Sequence, residues 1–296
     1  MTKTTPTPED HKIVVRNIDF GLEDPTIPKY WHSDCPGITN YLNALSVLFP
    51  EGETFFIDSA RPYAKDIEDP KLRAEIKGFM TQEALHTREH VAYNDMLVRQ
   101  GYPADKLEAR LKKDLDMGRK MLPKSAQLAI TCSLEHWTAT MANALLCDPE
   151  ALDGADPRMA NVWRWHAVEE TEHKAVCYDL YQEAVTKELG EKAAYRQRIR
   201  SHIMVALPFQ IWTFIFWLQF MKAAGELGNM KAWWNTFRFL WLRKNSVMRR
   251  VTREWFHYFR KDFHPWDHDN KHFIEEWDAG AESTSEVPEQ FKPQAA

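Results

Sequence analysis

The chain has 296 residues, of which 44% are hydrophobic and 27% charged, and this is the composition of a globular protein with a sizeable core. Its formal net charge of −5 excludes a general nucleic-acid binder, because no net positive field attracts phosphates. The four cysteines form no CxxC pair and residues 1–12 contain no apolar run, so we expect free thiols, no secretory signal and a cytoplasmic location.

Helical patterns follow an irregular first segment. Residues 1–36 are rich in Pro, Thr and Asp and are predicted to form an irregular N-terminal arm. No stretch alternates with a period of two, so strands are not expected, and residues 37–190 are predicted to form a four-helix bundle. The predicted helical segments are "ITNYLNALSVLF", which resumes after Pro50 and Gly52 as "GETFFIDSARPYA", then Asp69–Gln100, then Ala104–Cys147 with a kink at Pro123, and finally Asp156–Gly190.

An aromatic-rich helical extension is predicted for residues 191–274. Within it, Ile203–Phe220 is almost entirely apolar, but Pro208 and three polar residues interrupt it, and its length is barely enough to cross a bilayer. We therefore favour a helix that covers the bundle, or a peripheral contact of residues 203–253 with the inner membrane, over a membrane span. Residues 275–296 have the acidic composition of a disordered tail.

Glutamates and histidines recur in a fixed order along the four predicted helices. A bundle that binds two metal ions takes one Glu from each of two helices and Glu-x-x-His from each of the other two. Residues three apart share a helix face, so both side chains of each Glu-x-x-His reach one ion. A carboxylate on an apolar helix face is costly unless a metal takes its charge. This chain provides Glu53, Glu83-Ala-Leu-His86, Glu135 and Glu170-Thr-Glu-His173.

Two further histidines lie one helical turn from these motifs. His166 precedes Glu170 by four residues, and His90 lies four residues after the first Glu-x-x-His. We predict that His166 binds metal, whereas for His90 we weigh a ligand equally against a hydrogen-bonding residue behind the ligands. Glu169 and Glu172 are interpreted as ordinary charges, and Glu172 is expected to be solvated or paired.

Two features near the C-terminus resemble metal motifs but lack a matching half. Glu254-Trp-Phe-His257 is a third Glu-x-x-His that lies among arginines, and we interpret it as accidental. The segment "FHPWDHDN" contains His264, Asp267 and His268 without helical ligand spacing. For this segment an aromatic lid docked on the bundle is favoured over a metal site.

Five motifs together carry a family resemblance: "FPEGETFFIDSAR", "QEALHTREH", "LEHWTA", "WHAVEETEHKAVCYD" and "YFRKDFHPWDHDN". Over roughly residues 28–270 the chain resembles the bacterial family of predicted metal-dependent hydrolases, of ferritin-like type. The pattern from His166 to His173 is also similar to the last ligand helix of the p-aminobenzoate N-oxygenases. These resemblances imply an all-α, ferritin-like bundle in which His166 binds the second iron.

The predicted ligands favour redox chemistry. Oxygen-rich ligation with a few imidazoles suits two iron ions, or manganese, and the absence of thiolates argues against structural zinc. We expect a di-iron oxygenase or oxidase that uses O₂ as co-substrate, an electron donor and a small or lipophilic organic substrate. A two-metal hydrolase is the alternative, an iron-binding protein without catalysis is the third hypothesis, and a homodimer is left open. The predicted metal ligands are Glu53, Glu83, His86, His90, Glu135, His166, Glu170 and His173, with catalytic roles for Glu53, Glu135 and Glu170.

Overall fold

The computed structural model describes residues 6–283, and over this range the fold is all-α, as predicted. An isolated bridge between His32 and Ala155 is the one piece of β-structure in the same range. The α-helices are α1 (Pro36–Ala64), α2 (Pro70–Arg99), α3 (Ala104–Met121), α4 (Lys124–Leu146), α5 (Pro157–His173), α6 (Val176–Leu180), α7 (Thr186–Leu189), α8 (Glu191–Ala223), α9 (Met230–Phe237), α10 (Val247–His257) and α11 (His272–Ser283). Tyr181–Val185 and Arg238–Leu242 are π-helical, and Pro265–Asp267 is a 3₁₀-helix.

Helix α1 continues through Pro50, so the break predicted at Pro50 and Gly52 is wrong. A proline inside a helix removes the amide that would bond to the carbonyl four residues earlier, here that of Ser46. The side-chain amide of Asn94 on α2 donates to this carbonyl at 3.4 Å, and Thr54 Oγ1 donates to the Pro50 carbonyl at 2.8 Å. The neighbouring helix α2 therefore provides a hydrogen bond for the freed Ser46 carbonyl group. Helix α1 continues without a break, so the same helix face extends into the bundle.

Pro123 ends a helix where only a kink was predicted. Its backbone is extended, with φ −62° and ψ 154°, and this conformation cannot continue the α-helical hydrogen bonding. The predicted segment 104–147 is therefore two helices. Helix α3 lies against α1 and α2 with few buried residues, whereas α4 packs inside the bundle.

The segments predicted to begin at Asp69 and at Asp156 do begin there, each with an Asp-Pro pair. Asp69 accepts a hydrogen bond from the Lys71 amide, and Asp156 caps α5 in the same way through the Arg158 amide, each at 3.0 Å. The segment predicted from Asp156 to Gly190 does not stay one helix, because α5 ends at His173. The remainder consists of α6, a π-helical turn and α7.

Helices α1, α2, α4 and α5 surround the interior of the bundle. α1 packs along α2, and α4 packs along α5. Residues 6–35 form no helix and run as an arm over the bundle, where Phe20, Leu22 and Trp31 join the hydrophobic core. His11 Nε2 of the arm lies 2.7 Å from the Glu172 carbonyl oxygen of α5. The arm is thus anchored on a helix that carries three of the eight predicted ligands.

Helix α8 packs one face against α1 and α4 and leaves the other exposed. Phe216 and Phe220 are fully buried on the packed face. Among the described residues, α8 is the one helix long and apolar enough to cross a membrane, but only 17% of its apolar window is buried. α8 is therefore not a core helix.

The predicted disordered tail is corrected in its first part. Helix α11 extends to Ser283, so residues 275–283 are helical. Residues 284–296, for which disorder was also predicted, lie outside the described residues, as do residues 1–5 of the arm.

Candidate metal centre

Seven of the eight predicted ligands converge in the middle of the bundle. Four helices supply them, and all seven side chains are buried. They fall into overlapping groups of three whose ligand atoms lie within 4.8 Å of one another. The groups are Glu53, His86 and His166; Glu83, Glu135 and His173; and Glu83, His86 and Glu170.

One group gathers around the ring of His173. Its Nε2 lies 3.1 Å from Glu83 Oε1, 3.6 Å from Glu135 Oε2 and 3.7 Å from Glu170 Oε2. These residues come from α2, α4 and α5, so no two neighbouring helices alone would assemble the group. Its oxygen and nitrogen atoms surround one position.

The adjoining group, which consists of Glu53, His86 and His166, contains the other two imidazoles of the centre. His166 Nε2 lies 3.1 Å from Glu170 Oε1, and His86 Nδ1 lies 3.6 Å from Glu83 Oε1. The rings of His86 and His166 are stacked, with centroids 4.2 Å apart. Glu83 and Glu170 therefore lie between the two groups, where a carboxylate can contact ions on both sides.

The centre concentrates negative charge. Within residues 6–283 no Lys or Arg forms an ion pair with Glu53, Glu83, Glu135 or Glu170. Oxygens of all four carboxylates, together with one ring nitrogen each of two histidines, are buried without a hydrogen bond among the described residues. Such groups are costly unless a cation takes their charge. Four carboxylates balance two divalent cations, and oxygen with imidazole nitrogen suits iron, manganese or zinc. The residues thus fit a metal centre.

The acidities of the carboxyl groups reflect the same crowding. Burial raises the pKa of Glu53 well above its ordinary value, and the charge of Glu83 raises it further. Burial and neighbouring carboxylates also raise the pKa of Glu135. The pKa of Glu170 is lowered, because the two nearby histidines of α5 outweigh the effect of its burial. Without metal, Glu53 and Glu135 therefore keep their protons to higher pH than ordinary carboxyl groups do, and a bound cation would displace these protons.

Hydrogen bonds on the outer side of two rings select the nitrogen that faces the centre. His86 Nε2 lies 3.1 Å from Glu169 Oε2, and His173 Nδ1 lies 3.0 Å from Gln82 Oε1. Both outer partners are acceptors, so in the neutral, metal-binding form each ring donates its N–H outward and turns a lone pair inward. Glu169 is therefore not an ordinary surface charge, because it is buried and orients His86.

A chain of hydrogen bonds orients His166. Ser46 Oγ donates to Asn94 Oδ1 at 2.9 Å and accepts from His90 Nδ1 at 2.9 Å. His90 Nε2 is then the acceptor for His166 Nδ1, at 2.8 Å, and the lone pair of His166 Nε2 faces the carboxylates. Burial lowers the pKa of His166 to about 4, so its ring is in the neutral form that binds metals. His90 uses both nitrogens in this chain, so the structure places it behind the ligands.

Arg16, on the arm, is not among the residues that the sequence predicts. Its buried guanidinium lies 2.6 Å from Glu172 Oε1 and 3.5 Å from Glu169 Oε1. Glu172 Oε2 in turn accepts from Gln82 Nε2 at 2.8 Å. Arg16 thus supports Glu169, the outer partner of His86, directly. It supports Gln82, the outer partner of His173, through Glu172. Glu172 is accordingly paired and buried, not solvated.

An apolar cavity of about 250 Å³ reaches the centre. Glu53 and Glu170 are the two predicted ligands on its wall, and Thr138 adds a hydroxyl group. Glu135, for which a catalytic role was also predicted, is not among the lining residues. Apolar side chains form most of the remaining wall, including Leu48, Phe49, Phe56, Leu111, Val205, Phe209 and Trp212.

The C-terminal motifs meet each other in space. Glu254 and His257 of α10 lie beside His268, and their ligand atoms are within 4.8 Å of one another. The motif interpreted as accidental therefore has a partner from "FHPWDHDN". The same segment docks on the bundle as a lid would, because Trp266 is buried with Lys174 Nζ 3.8 Å from its ring centroid.

Together, the fold and the centre define an all-α protein with a buried Glu/His site for metal ions. The chain belongs to the family of predicted metal-dependent hydrolases, whose family model matches residues 14–269. This match covers the arm from before Arg16, the whole metal centre and the C-terminal motif through His268. No curated protein and no solved structure matches the chain. The predicted metal-dependent hydrolase family is confirmed, whereas its ferritin-like type and the similarity to N-oxygenases stay predictions. The description of the family supports the hydrolase alternative more directly than oxidation.

Proposed function

We propose that the protein is a two-metal enzyme that hydrolyses an apolar organic substrate. The observation that carries the proposal is the junction of the metal centre with the cavity, since Glu53 and Glu170 belong to both. The family's description supports hydrolysis as the reaction class. A buried centre at the end of an apolar cavity favours a substrate with a hydrocarbon part.

The ligand groups suggest how two ions would be held. Glu83, Glu135 and His173 would hold one ion, and Glu53, His86 and His166 the other, with Glu170 between them. Two divalent ions at such a site polarise a substrate oxygen and lower the pKa of water. The carboxylates keep the pair close to electrical neutrality, which allows burial.

The side chains themselves bind substrate and handle a proton. Glu53 Oε2 accepts a hydrogen bond from Thr87 Oγ1 at 3.0 Å, whereas its Oε1 has none among the described residues. Glu53 also lines the cavity, so its free Oε1 is placed to accept a proton from water beside the substrate. The apolar wall holds the hydrocarbon part of the substrate and excludes bulk water.

Oxidation of an apolar molecule with O₂ at two iron ions is the second candidate, and the ligand set is the observation that favours it. Four carboxylates donate electron density to the metals, which weakens them as Lewis acids and stabilises oxidised iron. Bundles with this arrangement of Glu and Glu-x-x-His are those of di-iron and di-manganese carboxylate proteins. This reaction would also require an electron donor.

Parallel measurements on one batch of metal-depleted protein distinguish the two reactions. One portion is loaded with Zn²⁺ or Mn²⁺ and assayed with p-nitrophenyl esters of increasing acyl length. The other is loaded anaerobically with Fe²⁺ and mixed with O₂ in a stopped-flow spectrometer. Hydrolysis that improves with acyl length and is lost in Glu135→Ala supports the first proposal. Inert esters together with a transient visible band would overturn it in favour of oxidation.

A further inference from the structure

A separate group of ligand atoms lies at the end of α10. His257 Nδ1 is 3.1 Å from Glu254 Oε2, and His268 Nε2 contacts the same oxygen. The two imidazole nitrogens are 3.3 Å apart, and their rings are parallel to within 3°. Three atoms that normally offer lone pairs to a cation therefore face one point.

The surroundings hold this group in place. Glu254 Oε2 is buried and lacks a hydrogen bond of acceptable geometry within the described part of the chain. The Glu254 carbonyl oxygen lies 3.0 Å from His136 Nε2, and the His268 carbonyl oxygen accepts from Lys174 Nζ at 2.7 Å. Two imidazole nitrogens that point at each other and at one carboxylate oxygen repel unless a proton or cation lies between them.

We propose that Glu254, His257 and His268 bind a divalent zinc-type cation. Two imidazoles and one carboxylate form a three-ligand set that zinc completes with a solvent molecule, and the partial exposure of all three side chains allows access. The ion would tie the segment 263–270 to α10. It is distinct from the buried centre, with which it shares no ligand.

Zinc stoichiometry tests this site. Metal-depleted wild-type protein should bind one Zn²⁺ more per chain than His257→Ala or His268→Gln, measured by atomic emission after gel filtration. Zn²⁺ should also slow hydrogen exchange of residues 258–271 in the wild type but not in His268→Gln. The partly exposed ligands should tolerate both changes, as checked by circular dichroism. Equal zinc content in all three proteins, or exchange that Zn²⁺ slows equally, would overturn the site.

A different observation concerns the outer face of α8. Large apolar side chains recur there every three or four residues, each between 46% and 66% exposed: Ile203, Met204, Leu207, Ile211 and Phe214. Soluble proteins rarely expose such a continuous apolar surface without a partner. The other face of the helix, with Phe216 and Phe220, is buried in the protein, so lipid does not surround the whole helix.

The charge around this stripe selects the partner. Residues 192–253 contain 12 Lys and Arg, of which Arg198 is buried and Arg243 is paired with Asp148, but one acidic residue, Glu226, although the whole chain carries −5. Exposed Arg200 and Lys222 flank the apolar stripe on α8. Anionic lipid head groups complement this pattern. A second copy of the chain would instead bring two positive surfaces together across a symmetric interface.

We infer that the outer face of α8 docks on an anionic membrane surface. The inner face of the same turns lines the cavity through Val205, Pro208, Phe209 and Trp212. An apolar molecule dissolved in the bilayer would therefore meet the protein within one helix diameter of the cavity. This route for the substrate rests on the proposed function, whereas docking itself is measurable without turnover.

Vesicle binding tests the docking surface. The full chain should co-sediment with phosphatidylglycerol-containing vesicles, less with pure phosphatidylcholine, and less at high salt. Leu207→Asp combined with Ile211→Asp should weaken binding about tenfold or more. Val98→Asp, at an exposed apolar position on α2, is the matched control and should bind as wild type. Absence of binding by the wild type, or equal binding by the double variant, would refute docking. Docking would also be refuted if the wild type is a dimer, the double variant is a monomer, and lipid affects neither protein.

Discussion

Replacing Arg16 by methionine removes the cation between Glu169 and Glu172 while keeping most of the side-chain volume. Both carboxylates are buried and lie 3.5 and 2.6 Å from the guanidinium. Leaving a buried ionic partner uncompensated costs about 3–5 kcal/mol. The contact with Asp278 is half exposed on the carboxylate side and adds less than about 1 kcal/mol. The free energy of unfolding should therefore fall by about 3–5 kcal/mol.

The loss should depend on pH in a defined direction. Burial already raises the pKa of Glu172, and Arg16 opposes this rise. Without the guanidinium, the pKa of Glu172 in the folded state rises further above its value in the unfolded chain. Stability then falls as pH increases through that interval, so the deficit of Arg16→Met is largest at alkaline pH and shrinks on acidification.

Urea unfolding of metal-depleted protein, followed by circular dichroism at pH 8 and pH 5.5, measures both effects. Arg61→Met is the control, since its pair with Asp58 is exposed and should contribute less than about 1 kcal/mol. A second readout is metal affinity, which should fall about 10- to 100-fold because two histidines lose their outer support. If Arg16→Met unfolds within about 1 kcal/mol of the wild type at pH 8, the buried charge network does not stabilise the fold.

Three further predictions concern the metal centre. Glu135→Ala and Glu170→Ala should each reduce metal content below that of the wild type, measured by atomic emission, and full retention in both would contradict the ligand assignment. His90→Phe should weaken metal binding about tenfold or more in calorimetry, because His166 loses its hydrogen-bond acceptor, and unchanged affinity would make His90 a packing residue. Metal binding should release protons and weaken as pH falls, because the raised pKa values of Glu53 and Glu135 mean that cations displace protons. Titration in weak buffer detects this release, and its absence would contradict the protonated metal-free state.

The order of the ligands could be predicted from sequence because helix geometry is local. The spacing of Glu83 to His86 and of Glu170 to His173 places each pair on one face whatever the tertiary structure. The starts of α2 and α5 could likewise be predicted, since an Asp cap followed by Pro at the first helical position is a local signal. These features depend only on residues within one or two turns.

Features that combine distant segments could not be predicted in this way. The helix continues through Pro50, and Asn94, on another helix, donates to the carbonyl that the proline leaves free. The helical position of His90 does not decide whether it binds metal or hydrogen-bonds to a ligand. Its hydrogen bond with Ser46 of α1 decides this.

The helical class and the faces on which the carboxylates lie could therefore be predicted from sequence, since both follow from the repeat of the α-helix. Long-range contacts instead fix which nitrogen of each histidine faces the centre, the support that Arg16 gives to the ligands, and the contact of His268 with Glu254. These contacts involve an irregular arm and a C-terminal segment, neither of which has a repeating sequence pattern. The positions of both segments are fixed by packing and hydrogen bonding with distant parts of the chain.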